Sequence, residues 1–164
     1  MKAHLVVPQP APLVGARLSA LALLLATALA AALACAGEPA ASELVVRDAW
    51  VREPPPGSEV GAAYLTLSNR SSRVLTVVDF DSPAAEAAML HETRIESGQA
   101  RMRPQSTLVL AAGQTVVLKP GGLHVMLHGL KQPLKPGEHI PLVLKLGDGR
   151  SITVSALVRP IGSE

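Results

Sequence analysis

The sequence predicts an all-β domain, a sandwich or barrel of many short strands, behind an N-terminal leader. Three observations carry this prediction. From residue 44 onward, apolar residues alternate with polar ones or run in short Val-, Leu- and Ile-rich blocks. The turn signals "PPPG", "NRSS", "DSP", "SGQ", "AAG", "KPGG" and "GDG" separate those blocks. No window sustains the apolar period of a helix.

The strand-like blocks follow in order. They are "ELVVRDAWV", "GAAYLTLSN", "RVLTVVDFD", "AAMLHETRIES", "ARMRPQ", "TLVLAAGQTVVLKPGG", "LHVMLHGL", "HIPLVLKLGDG" and "SITVSALV". A Pro-Gly loop, "REPPPGSE", links the first two and reads as a surface loop. "DSPAAEA" admits a short helix or a turn, with Asp81 or Ser82 as cap and Pro83 in first position. "SGQ" reads as the turn of a hairpin. Trp50, Tyr64 and Phe80 are the domain's aromatics, so its core is expected to be Val, Leu, Ile and Ala.

The 164-residue chain has room for one such domain. Residues 1–36 read as a secretory signal: Lys2 and Arg17, then an apolar run, then small residues. The run nearly suffices for a membrane span, but its Ala content and small-residue end followed by Pro favour cleavage over a retained anchor. Two cleavage points compete. Ala34-Cys35-Ala36 fits the small-x-small rule and starts the mature chain at Gly37. "ALAC" instead resembles a lipoprotein box, with Cys35 lipidated as the first residue and serving as a lipid anchor. Residues 37–43 form a linker, and the domain is expected over 44–160. Either cleavage places it outside the cytoplasm, most naturally in a bacterial cell envelope.

The leader also holds the excess positive charge. Of 15 Lys and Arg, Lys2 and Arg17 leave with it, so 13 remain against 13 Asp and Glu. A balanced surface offers no electrostatic footprint for nucleic acid. Cys35 is the single cysteine, so the mature domain has neither disulfide nor thiolate. Soft-metal chemistry there must take its sulfur from Met.

The mature chain has Met89, Met102 and Met126, and His91, His124, His128 and His139. All but His139 fall between positions 89 and 128. Each alone is more often packing or a satisfied polar group than a ligand. Their joint placement is the signal. Strand residues two apart share a face, so His124 and Met126 project together. The "SGQ" hairpin returns Met102 beside the Met89/His91 side, in a register the loop alone does not fix. Two imidazoles and two thioethers from three strands make a soft, neutral donor set that selects Cu(I). Zinc prefers thiolate, imidazole and carboxylate, and a blue-copper centre needs a thiolate. Nucleophile–base–orienter spacing and a phosphate loop are both lacking, so the chain does not read as an enzyme.

At these residues the chain resembles the PCuAC family of periplasmic copper chaperones, which serve the copper-A site of cytochrome c oxidase. The family pattern is His, ten residues, Met, twenty-one residues, His, one residue, Met. His91, Met102, His124 and Met126 match it without a gap. "DAWVR", "AAYLTLSN", "MLHET", "ARMRP" and "LKPGGLHVMLHGLK" look similar to family segments too. The resemblance spans residues 44–158 and implies a cupredoxin-like Greek-key β-sandwich or barrel. It further implies one Cu(I) on His91, Met102, His124 and Met126, delivered to the oxidase copper-A subunit or a Sco-type assembly protein. The protein is expected to act as a monomer.

The chain departs from the family at three points. Thr93 stands where many members have a Met, and Met89 on the same face either compensates or packs. His128 stands where the family is usually apolar, as an accessory ligand or a polar strand-end residue. The His/Met-rich tail of some members has no counterpart in "VRPIGSE", so a Cu(II) site there is not expected. His139 is expected to be exposed. Two rival readings keep the same residues: an envelope copper-storage or resistance protein, and a structural β-sandwich in which Met and His merely pack.

Overall fold

The structure is a computed structural model that describes residues 43–163. The expected leader, both cleavage points, Cys35 and linker residues 37–42 lie outside the described residues. Ten strands follow in chain order: β1 (Leu44–Arg52), β2 (Val60–Asn69), β3 (Leu75–Asp81), β4 (Ala85–Glu96), β5 (Gln99–Pro104), β6 (Leu108–Leu110), β7 (Thr115–Leu118), β8 (Leu123–Leu130), β9 (His139–Leu146) and β10 (Ser151–Arg159). Among the described residues there is no helix. "DSPAAEA" is therefore a turn: the Ala85 N–H donates to the Ser82 carbonyl at 3.1 Å. The Ser82 hydroxyl donates to the Pro141 carbonyl at 2.7 Å and ties that turn to β9.

Strands β4, β8, β2, β1, β10, β9 and β3 are neighbours in that order, and a β3–β4 pairing at Phe80 and Ala88 closes the ring. The result is a barrel, so the all-β cupredoxin-like expectation is borne out in its barrel form. Strand β5 extends the wall beyond β4, β6 pairs β3, and β7 pairs β2. Strands β1 and β10 run parallel. Parallel neighbours cannot be joined by a hairpin, and here they are the first and last of the ten strands.

The core is aliphatic, as the composition predicts. Val51, Leu67, Val77, Leu110, Val125, Leu127, Leu142, Leu144 and Val158 are fully buried, with Phe80 the aromatic member of the cluster. Alternation puts their neighbours on the outer surface. Strand β1 breaks that rule once. Its pairing with β2 shifts by one residue between Arg47 and Trp50, where Asp48 adopts φ 52°. This bulge keeps Leu44 and Val51 both in the core. It turns Trp50 and Arg52 outward, in register with Tyr64 and Ala62.

Two polar devices hold the barrel's lower loops. Asn69 is buried, and its amide donates to the carbonyls of Arg73, Leu110 and Ala111 at 2.7, 3.1 and 3.0 Å. Its carbonyl accepts from the Ser71 N–H and hydroxyl at 3.0 and 2.7 Å. One side chain thus ties the end of β6, at Leu110, to the loop carbonyls of Arg73 and Ala111. At the surface, Glu43 accepts from Arg73 and Arg150, each at 2.7 Å, and Arg150 also pairs with Asp148 at 2.7 Å. The last linker residue is thereby tied to both neighbouring turns.

Replacing Asn69 by Ala strands those carbonyls. The expected loss is about 2–3 kcal/mol of unfolding free energy, because unsatisfied buried groups cost about 1–3 kcal/mol. Urea denaturation measures it. A second expectation concerns acid. The guanidinium groups of Arg73 and Arg150 hold Glu43 below the usual carboxylate range, and Arg150 does the same to Asp148. A lowered folded pKa stabilises fully above the ordinary carboxylate range, and the effect vanishes as pH falls through the lowered value. Glu43→Gln should therefore flatten the fall of Tm between pH 5 and about 3, a thermal-melt series being the check. Being solvent-screened, the effect is small.

Candidate metal centre

The site is built by the ladder between β4 and β8. That ladder sets His91 opposite His124, Met89 opposite Met126 and Ala87 opposite His128. Cross-strand partners share a face. The intervening pairs, Leu90 with Val125 and Ala88 with Leu127, are buried in the core. The His and Met residues therefore lie on the outer surface of the barrel wall.

Strand β5 adds Met102. The β4–β5 turn is two residues, Ser97 and Gly98, both with positive φ (51° and 78°). Such a turn matches the strand twist and fixes the register. Met102 falls opposite Thr93, on the same face as His91. Arg101 and Arg103 alternate to the other face, where Arg103 pairs with Glu96 at 2.9 Å and Arg94 with Glu92 at 2.7 Å. On the far side of β8, β2 sets Ala62 beside Met126 and Val60 beside His128.

Met102, His124 and Met126 line a shallow hollow of about 240 Å³, with Tyr64, Arg52, Thr93 and Ala62 around them. No carboxylate lines it. The His91 ring lies alongside His124, with centroids 6.0 Å apart and planes 22° apart. All four sequence-predicted residues thus sit on one patch from three strands, His91 at its edge. His124 is 5 % exposed, whereas Met102 is 56 % exposed. A roomier groove, between the Pro54–Glu59 loop and Leu130–Lys135, contains neither His nor Met.

Both imidazoles are oriented by backbone. Nδ1–H of His124 donates to the Gly122 carbonyl at 2.9 Å, and Nδ1–H of His91 to the Met89 carbonyl at 3.2 Å. A carbonyl oxygen only accepts, so each ring carries its proton on Nδ1 and presents the Nε2 lone pair. The Gly122 carbonyl also accepts the Thr93 N–H at 3.1 Å, which fixes the orienting group itself. This arrangement is the one that metal-ligating histidines use.

Sequence reasoning did not place three neighbours of the site. Trp50 packs on Tyr64 at 4.4 Å between ring centroids, and Tyr64 lies 6.4 Å from His124. Arg52 stands 5.8 Å over the Tyr64 ring. Tyr64 could have been found from its parity with Ala62 on β2. Trp50 and Arg52 could not, because the bulge at Asp48 moves them to this face. His128, in β8, also belongs to the patch, its ring 6.1 Å from His91. His139 is exposed, as expected. Among the described residues, no three His, Cys, Asp or Glu groups gather around one point. Thioether sulfur is the further donor type that the patch offers beside its imidazoles.

Comparison with known proteins places this geometry. The LpqE-like lipoprotein family matches residues 44–158. A protein of Leifsonia xyli subsp. xyli (strain CTCB07), described as the lipoprotein Lxx21020, is 38% identical over 115 residues, 70% of this chain and 68% of that one. The solution structure of CuI-DR1885 from Deinococcus radiodurans is 38% identical with a TM-score of 0.57, covering 78% of this chain and 85% of that one. The copper-bound PCuAC domain from PmoF2 shares the fold at a TM-score of 0.63 and 19% identity, covering 76% of this chain and 98% of that one. The β-barrel shares its fold with the PCuAC domain from PmoF2, and the chain belongs to the LpqE-like lipoprotein family.

Proposed function

We propose that the protein is a copper chaperone of the cell envelope. It takes one Cu(I) on His91, Met102, His124 and Met126 and passes it to the copper-A site of cytochrome c oxidase or to a Sco-type assembly factor. The observation that carries this reading is the pair of Nδ1-anchored imidazoles beside two thioethers on one carboxylate-free patch. Every donor is neutral, and sulfur is the softest among them, which favours Cu(I) over Zn²⁺. The relatives add support: DR1885 has been solved in its CuI form and PmoF2 with copper.

The chain's own groups have distinct parts. His124, nearly buried and anchored through Gly122, is the fixed donor. Met126, half-buried between Met89 and Ala62, supplies sulfur from the same strand. Met102 stands on the edge hairpin, largely exposed, and is the donor an incoming ligand displaces first. Tyr64 and Trp50 shield one flank from water. The exposure of Met102 speaks against the packing-only reading, since a side chain 56 % exposed adds little to a core.

The envelope location rests on "ALAC" together with the lipoprotein descriptions of the family and of the Leifsonia relative. In this reading Cys35 carries the lipid. Cys35→Ser should then move the protein from the membrane fraction to the soluble fraction, with no lipid label incorporated.

The central test is Cu(I) competition against a coloured chelator under reducing conditions. One tightly held Cu(I) per chain is expected. Met126→Leu and His124→Ala should each weaken it by at least about 100-fold, since loss of a mere outer-shell partner already costs 10–100-fold. Leu keeps the volume of Met, so the fold should survive, and far-ultraviolet dichroism checks this. Trp50 is the single Trp, and its emission should change with the same one-to-one endpoint. Unchanged affinity in both variants would remove these residues from the site. Transfer from the loaded protein to an apo copper-A domain separates delivery from storage.

A further inference from the structure

We propose that the same face holds a second Cu(I) position, formed by Met89 and His128 and adjoining the first through His91 and Met126. The inference rests on the chaperone reading and extends it. His128 and His91 are two ladder rows apart, about 13 Å along the strand at 3.3 Å per residue. Their ring centroids nevertheless lie 6.1 Å apart. Both rings must lean toward each other over the row between them, and that row is Met89 and Met126. Ala87, opposite His128, leaves room for the lean.

His128 also has an unexplained polar atom. Its Nε2 is buried and has no hydrogen-bond partner. Native structures seldom leave such an atom unpaired, so a water or an ion is its expected partner. Met89 is 44 % exposed, although its strand neighbours Ala88 and Leu90 are buried. It contributes little packing and stands opposite Met126 on the outer face.

The three imidazoles do not gather around one point. His91 lies midway, 6.0 Å from His124 and 6.1 Å from His128. This spacing suits two adjacent positions better than one three-His centre. The first takes His124 and Met102, the second His128 and Met89, with His91 and Met126 at the boundary. The second donor set is again neutral imidazole and thioether, so its ion is Cu(I). Shared boundary donors make the second ion the weaker one. An ion can then move along the face by exchanging one neutral donor at a time.

The test is an anaerobic Cu(I) titration of the purified protein past one equivalent, read by chelator competition and by NMR of Met methyl and His ring signals. Two Cu(I) are expected, the second at least tenfold weaker, with Met89 and His128 signals moving mainly in the second step. The variant Met89→Leu/His128→Asn should hold one Cu(I) at wild-type affinity and lose the second. The variant Met102→Leu/His124→Ala should retain one Cu(I), with the Met89 and His128 signals shifted. A wild-type protein that binds one Cu(I), with a Met89→Leu/His128→Asn variant identical to it, overturns the second position alone. A wild-type protein that binds none overturns the chaperone reading with it. The wild-type titration decides the matter even where a variant fails to fold.

Discussion

The register between β4 and β8 is the constraint on which the site depends. Its core-facing half consists of Leu90 with Val125 and Ala88 with Leu127. Burying a side chain of Leu or Val size stabilises by about 1.5–3 kcal/mol. A one-residue slip of β8 would bring His124 and Met126 into the core and send Val125 and Leu127 to solvent, and a slip of β4 would do the same to Met89 and His91 against Ala88 and Leu90. Several such terms oppose the slip at once. The aliphatic core therefore specifies the His and Met face without any of its residues belonging to that face. Nothing in the His and Met side chains themselves needs to stabilise the pairing, which leaves them free to be chosen for chemistry.

Two local backbone devices complete the face. The Ser97-Gly98 turn fixes where β5 returns and so which β5 residue faces Thr93. A turn longer by one residue would exchange Met102 for Arg101 or Arg103 opposite Thr93. The bulge at Asp48 works on the opposite flank. Without it, strict alternation from Leu44 would point Trp50 and Arg52 into the core and Val51 outward. With it, Trp50 packs on Tyr64, whose ring lies 6.4 Å from that of His124.

This division explains what was legible in the residues alone. The barrel class follows from short apolar blocks and turn signals, because both reflect half-buried pleats that every strand shares. The four residues at the centre were legible because period two on β8 and a short hairpin after β4 are local rules. Register was not, since it depends on core pairs from strands far apart in sequence. Trp50 and Arg52 were hidden by one inserted residue whose φ of 52° no pattern announces. His128 sits on β8 with the parity of His124 and Met126, so its face was legible. Its lean toward His91 and its unpaired Nε2 were not, as both depend on side-chain packing.

The gradient of exposure across the patch bears on how an ion would leave it. His124 is 5 % exposed and anchored through its Nδ1, while Met102 is 56 % exposed on an edge hairpin. A donor set buried throughout would release its ion only when the wall opened. A set exposed throughout would lose it to any passing thiol. In the proposed chaperone one end would be fixed and the other accessible, so an acceptor's sulfur would replace Met102 while His124 still held on. Related complexes differ mainly in dissociation rate rather than association rate. An exchange that never leaves Cu(I) bare lowers the barrier to leaving without weakening the resting complex. The same logic accounts for neutral donors throughout: exchanging one thioether for another moves no net charge and, without carboxylates in the hollow, leaves no buried anion unpaired.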